Sequence, residues 1–395
     1  MKKVILAFVL VFLLAGLIFA TEAGKLTIWC SEKQVDILQK LGDEFEAQYG
    51  IPVVVQEMSF GDIQTNFLRA APVGEGPDIM VTAHDRIGEL VVNGLVIPLD
   101  FLTLSERNEF MGTAIDAFNF GGKLYGLPYA VEAIALFYNK EYMEEVPATF
   151  EELADLAEEY TDDEFRGFVY NTPDFYFSAP LLFSNGGYVF KLTDKGLDPN
   201  DVGLDNAGAV AGGEFIGNLL DRGICKPGDN YDVMDGLFKD GMAMAIINGP
   251  WAIEGYRNAG IDYGIAPIPS INGKECVPFT GVQGFLINSQ SPNTLFAIDF
   301  LANFINTPEV MYRLFKADPR PPARLDVAEM VKDDADIISI FESAKNGIPM
   351  PNIPAMSAVW GAMGDALNQI VNKQLEPAEA LEQAVDKIEA AINQQ

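Results

Sequence analysis

YGLPYAVEAIALFYNKEYM, residues 125–143, is the stretch whose reading decides the fold. A Gly121-Gly122-Lys123 turn precedes it, and an apolar, β-prone run extends from Tyr125 to Tyr138. Asn139-Lys140 ends the run before an acidic helical pattern. One carboxylate, Glu132, interrupts it. A strand that is apolar on both sides of a single charge is expected to be buried, and an unpaired buried carboxylate costs several kcal/mol. Either Glu132 has a partner within the protein, or a cleft opens where two halves of the molecule meet at this strand. The cleft is the expectation adopted.

Upstream, strand and helix patterns alternate. KLTIWC (25–30) places Leu26, Ile28 and Cys30 on one side, and helical spacing of Val35, Leu38, Leu41 and Phe45 follows over 33–49, with Gly50 as its cap. Strands at 51–55, 78–81 and 95–99 with helices at 63–70 and 86–92 continue the series. The alternation predicts βαβ units and a mostly parallel sheet, whose ligands bind beyond the carboxyl ends of the strands. Three polar clusters fall at such ends: Ser31-Glu32-Lys33, Thr82 to Arg86, and Glu132.

Downstream, Thr149-Phe150-Glu151-Glu152 is a capping box opening a helix to Tyr160. Residues 171–190 are dense in aromatics and short of periodicity, 206–222 is helical despite its glycines, and 242–247 is a buried strand. Asn248-Gly249-Pro250-Trp251 starts a helix, short strands stand at 263–267 and 284–288, and 296–305 is helical. After breaks at 317–325 and 348–354 the chain ends in helices, the last with Leu381, Val385, Ile388 and Ile392 on one face.

A chain of 395 residues, 49% apolar, is expected to form two lobes. Residues 1–20 read as a secretory signal, with a basic start and an apolar run, and with cleavage as late as 23. Leu17 stands where a lipoprotein would need its lipid-bearing cysteine, so a freely soluble periplasmic or extracellular protein is expected, without a membrane anchor. Loss of Lys2 and Lys3 with the signal takes the formal charge from −31 to −33. That charge repels nucleic acid and anionic headgroups and suits a neutral small molecule. Three dispersed cysteines and a single histidine, His84, exclude multi-histidine metal centres, and no metal or cofactor is expected. The expected state is a monomer.

The candidate site residues each have a structural alternative. Glu32 and Lys33 open a helix, where a carboxylate serves the helix dipole alone. Asp85 and Arg86 suit an internal salt bridge as well as a ligand. Asp174 and Tyr176 flank Phe175 in an aromatic loop of the kind that packs, and Trp251 and Trp360 are by default core residues. Taken together, charged hydrogen-bonding groups and flat apolar faces suit a polyhydroxylated ligand with apolar CH faces.

GKLTIW (24–29), GPDI (76–79), AHDR (83–86), PYAVEAIALFYNK (128–140), DVGLDNAGA (201–209), NGPWA (248–252) and MPNIPAMSAVW (350–360) stand in an order that resembles the maltose/maltodextrin-binding proteins of bacterial ABC sugar importers. The similarity spans the mature chain. It implies a periplasmic-binding-protein fold, in which two α/β lobes are joined by three hinge crossovers. The expected N-terminal lobe is 24–130 with 285–330, the C-terminal lobe 136–279 with 337–395, and the crossovers 131–135, 280–284 and 331–336. It also implies that Glu32, Lys33, Asp85, Arg86 and Glu132 are polar sugar contacts, that Asp174 takes a glutamate's place, that Tyr176 is a contact, and that Trp251 and Trp360 stack on sugar rings. Thr82 replaces a tryptophan, Phe175 a proline, Gly361 a tyrosine and Gly364 an arginine, and these departures bear on the number of glucose subsites. The implied function is binding of maltose, maltotriose or other short maltodextrins in the cleft and delivery to membrane permease subunits. Two alternatives are the same fold for another disaccharide such as trehalose, and a secreted glycosidase using Glu132 with Asp85 or Asp174 as an acid/base pair.

Overall fold

The computed structural model describes residues 24–394, and the signal read at 1–20 lies outside them. Two sheets, each with its own apolar core, organise the described residues. In the first, hydrogen bonding runs in the order Ile348–Pro349, Phe279–Ile287, Ile79–Ala83, Leu26–Cys30, Val53–Glu57, and Gly126–Glu132 also pairs with Phe279–Ile287. The second has the order Tyr263–Ala266, Ala135–Asn139, Ala243–Asn248, Arg166–Val169. Helices cover both sheets, so the molecule is a pair of α/β lobes.

Residues 125–143 supply one strand to each sheet. Gly126–Glu132 is buried throughout and pairs antiparallel with Phe279–Ile287, with Glu132 opposite Gly281. Ala135–Asn139 pairs antiparallel with both Ala243–Asn248 and Tyr263–Ala266. Ala133 packs in the first core and Ile134 in the second. The first core draws on residues from Leu26 to Ala133 and from Val282 to Val327, with Ala344 added. The second draws on Ile134 to Phe279 and Val331 to Ile388, with Ala83 and Phe315 added.

The short strand expected at 284–288 is the longer, wholly buried Phe279–Ile287, because every position has a partner: Ile348–Pro349 at its start, Gly126–Glu132 over 281–286 and Ile79–Ala83 over 283–287. Gly281 sits against Glu132, and a Cβ there would come within 2.8 Å of the glutamate Cγ. The strand expected at 95–99 does not form. Val96 makes one antiparallel bridge to Asn288, Leu99 N–H donates to the Leu124 carbonyl at 2.7 Å, and Pro98 between them has no N–H to offer a ladder. The aromatic stretch 171–190 contains a helix, Phe175–Phe183, buried on nearly every side. A helix apolar all round has no amphipathic period to read.

Capping signals are realised locally. Thr149 Oγ1 accepts from Glu152 N–H at 3.2 Å, while Glu152 Oε2 accepts from Thr149 N–H at 3.2 Å. On the final helix, Pro377–Ile392, Leu381, Val385 and Ile388 are buried. The loop 350–354 docks on the helix Ile87–Val92 at Gly88, whose N–H donates to the Asn352 carbonyl at 3.0 Å. A Cβ at Gly88 would lie 2.5 Å from that carbonyl oxygen, so only glycine permits the approach. All three cysteines are buried free thiols, with burial pushing Cys30 and Cys276 each up to about 12. Among the described residues no helix is long and apolar enough to cross a membrane.

Candidate functional site

The sequence-predicted residues sort into two groups. Asp85, Glu132, Asp174, Tyr176, Trp251 and Trp360 gather where the two cores face each other. Glu32 is exposed, Lys33 and Arg86 are half-exposed, and none of these three makes a side-chain hydrogen bond or ion pair among the described residues. The side chains that turn inward there are Ser31 and Gln34, the residue before the helix Val35–Tyr49, with the Ser31 hydroxyl donating to Gln34 Oε1 at 2.6 Å.

Glu132 ends its strand at the crossing between the cores and is 4% exposed. It has a protein partner, contrary to the open-cleft expectation. Arg320 Nη1 donates to Glu132 Oε2, and Gln283 Nε2 donates to Oε1 at 2.9 Å. Arg320 Nε donates to Asp318 Oδ2 at 2.7 Å, and Gln34 Nε2 reaches the same oxygen at 2.7 Å and the Tyr129 hydroxyl at 3.2 Å. Burial works against the Arg320 cation, but the Asp318 and Glu132 carboxylates more than offset it and raise its pKa. The group is a buried carboxylate–guanidinium–carboxylate triad braced by amides, the kind in which removing one member leaves an uncompensated charge.

Asp85 lies in the turn after the strand Ile79–Ala83 and is 7% exposed. Its Oδ2 accepts from Trp360 Nε1 at 3.0 Å, a bond from the second core's helix Val359–Val371 to the first lobe. Trp360 also packs against Phe175 and Phe279, with ring centroids 5.7 and 5.9 Å apart. Tyr176 stacks on Phe279 at 6.0 Å and touches Trp251 at 6.2 Å. The hydroxyl of Tyr176 is buried without a hydrogen-bond partner among the described residues. Burial raises its pKa far above normal, and the nearby Glu132, Asp174 and Asp85 charges push the same way against Arg320.

Asp174 has a structural task. Its Oδ1 caps the helix Phe175–Phe183, accepting from Tyr176 N–H at 2.8 Å and Phe177 N–H at 3.4 Å. Burial raises its pKa in spite of those bonds.

Arg320, Asp318, Gln34, Gln283 and Phe279 also belong to the cluster, and no local sequence pattern marks them. The segment ADPRPPARL (317–325) reads only as a Pro-rich break, yet 318–324 is buried throughout. An arginine between prolines in a chain with 26 basic residues against 57 acidic ones was the available signal.

The lone histidine is a brace. His84 is fully buried, its Nε2 meets the Met350 carbonyl at 3.0 Å, and Nδ1 accepts from Val282 N–H at 3.1 Å. It thereby ties together the strand Phe279–Ile287 and the loop 350–354 that leads to the helix carrying Trp360. Burial lowers its pKa from the ordinary 6.5. The unfolded chain therefore binds the extra proton first, and stability present above pH 6.5 is lost as pH falls below it toward the folded value. Raised carboxylates such as Asp78, Glu89 and Asp174 act with the opposite sign nearer their own lower range. Thermal melts from pH 8 to pH 5 are expected to show a falling midpoint below about 6.5. His84→Gln, which keeps an acceptor and a donor without the titration, is expected to flatten that fall.

Chemically, the arrangement offers acceptors (Asp85, Glu132), donors (Tyr176, Arg320, Trp360) and aromatic faces, with no metal-ligating cluster among the described residues. A family model described as bacterial extracellular solute-binding protein matches residues 40–338. The galactooligosaccharide-binding protein of Bacillus subtilis is 30% identical over 384 residues, covering 94% of this chain and 90% of that protein. The maltotriose-binding protein of Pyrococcus abyssi is 31% identical over 359 residues, 88% of this chain and 78% of that protein. A maltodextrin-binding protein of Bacillus subtilis is 29% identical over 360 residues, 86% of this chain and 84% of that protein.

Proposed function

Because the chain belongs to the bacterial extracellular solute-binding protein family, a family of binding proteins and not enzymes, we propose that it binds maltose, maltotriose and related short maltodextrins between its lobes. It delivers them to the permease of an ABC importer from the periplasmic or extracellular side, as a soluble protein released from its signal. The observation that carries this reading is the cluster itself, in which the Tyr176 hydroxyl, without a partner among the described residues, lies within the fields of Asp85 and Glu132, against Trp251, while Asp85 holds Trp360. Carboxylates accept sugar hydroxyls, and each charge-assisted bond contributes roughly 1.5–3 kcal/mol. Aromatic rings cover CH faces, and a micromolar Kd needs only about 8 kcal/mol net. The proposed hinges are 131–135, 280–284 and 331–336. The passage of the chain between cores after Ala133, after Phe279 and before Val331 supports that placement.

Ligand length follows from the departures at 82, 361 and 364. Thr82 is 1% exposed and adds no open volume. A Cβ at Gly361 meets no atom within 4 Å, and at Gly364 the nearest is the Pro173 carbonyl at 4.0 Å. Room at these two positions favours a third glucose, so maltotriose is expected to bind at least as tightly as maltose. The Bacillus relative named for galactooligosaccharides supports a second reading, in which the same cluster holds a galactooligosaccharide. Calorimetry with maltose, maltotriose, trehalose and a galactotriose decides between them. Maltotriose weaker than maltose by tenfold removes the extra subsite, and binding of the galactotriose alone overturns the maltodextrin reading.

A further inference from the structure

The two prolines that flank Arg320, Pro319 and Pro321, fix the backbone on either side of it in a segment buried from 318 to 324. Its guanidinium carries five N–H groups, of which Nε bonds Asp318 and Nη1 bonds Glu132. Nη2 donates to no group among the described residues. The Cζ atom lies 5.7 Å from the centroid of Trp251, a ring that packs on the other lobe's core, at cation–π distance. Tyr176, whose hydroxyl has no partner among the described residues, touches the same tryptophan and feels the charges of both Glu132 and Arg320. A donor without an acceptor and a hydroxyl without a partner thus belong to one cluster, over an indole whose face is covered from one side.

Resting on the sugar-binding reading, we infer that Arg320 is a specificity-determining residue of the site. Its Nη2 donates to an oxygen of the sugar residue beside Glu132, and its position over Trp251 closes the row of subsites at that end. A sugar ring and the guanidinium cannot occupy the same face of Trp251. The residue therefore strengthens short ligands through a charge-assisted bond and denies longer ones a stacking surface. Lysine at 320 keeps a charge but not the planar fork that holds Glu132, Asp318 and Trp251 together.

The test measures Kd by calorimetry for maltose and maltotetraose on wild type, Arg320→Lys and Arg320→Gln. Maltose is expected to weaken about tenfold or more in both variants, the scale of one charge-assisted hydrogen bond. Maltotetraose is expected to hold its affinity, because the freed Trp251 face offsets the lost bond, so that the ratio of the two constants shifts about tenfold toward the longer sugar. A purely structural Arg320 would weaken both sugars by the same factor, and an unchanged ratio overturns the inference while leaving the sugar-binding reading in place. Wild type that binds neither sugar sinks the reading and the inference with it. Should the variants fail to fold, a crystal structure of the wild-type complex with maltotriose decides. Nη2 within hydrogen-bond distance of a sugar oxygen supports the inference, and a sugar ring stacked on the Trp251 face that Arg320 covers overturns it.

Discussion

Glu132→Ala is expected to lower the free energy of unfolding by about 3 kcal/mol, at the low end for breaking a buried ion pair. It is also expected to weaken sugar binding at least tenfold. Sequence alone, treating Glu132 as a cleft carboxylate, predicts a smaller stability change than a buried pair would give. The structure reverses that expectation, because Arg320 loses one of its two anions and stays buried. Asp318 keeps part of the compensation, which sets the effect at the lower bound. Gln283, which donates to Glu132, is also left without an acceptor. Glu132→Gln keeps an acceptor for Gln283 and should cost less. Urea denaturation with an unchanged slope gives the difference directly. Wild-type stability in the alanine variant would mean that Asp318 alone neutralises Arg320.

Asp85→Ala separates binding from folding more cleanly. Its carboxylate receives one bond from Trp360 and a long one from Gln64, so its removal is expected to cost only about 1 kcal/mol of stability. Sugar affinity is expected to fall at least tenfold, about 1.4 kcal/mol or more, since a charged acceptor for hydroxyls disappears and Trp360 loses its anchor. Asp85→Asn retains an oxygen for Trp360 Nε1 while removing the charge, and its Kd should lie between. Calorimetry on both variants checks this, and an unchanged Kd in Asp85→Ala removes the residue from the site.

The two-lobe architecture was legible because one apolar stretch with a single charge, 125–138, has to serve two sheets. The helix Phe175–Phe183 was not legible, since burial on all sides erases periodicity and Pro180 sits inside it. The segment 95–99 has a strand's composition but is held by isolated bonds to different neighbours, which composition does not encode. At the site, residue types marked Asp85, Glu132, Tyr176 and both tryptophans as a group. The partner of Glu132 is 188 residues away in sequence, in a segment whose prolines read only as a break. Such a pairing is set by tertiary contact and leaves no local pattern. Asp174 shows the converse, a residue singled out for a ligand whose Oδ1 caps its own helix.

The interleaving of the two cores has a consequence for the order of synthesis. The first core's strand Phe279–Ile287 holds Ile79–Ala83 and Gly126–Glu132 together, and it leaves the ribosome only after most of the second lobe's strands. Neither lobe is a contiguous segment that matures by itself while the rest is being translated, which is the usual route for multidomain chains. The nascent chain therefore remains without a finished lobe until late. Contacts such as Asp78 with Ser291 and Asn293, more than 200 residues apart, must close long loops before they contribute, which slows folding. A slow, late-completing chain of this kind stays threadable for longer, the condition an exported polypeptide has to meet before it crosses a membrane.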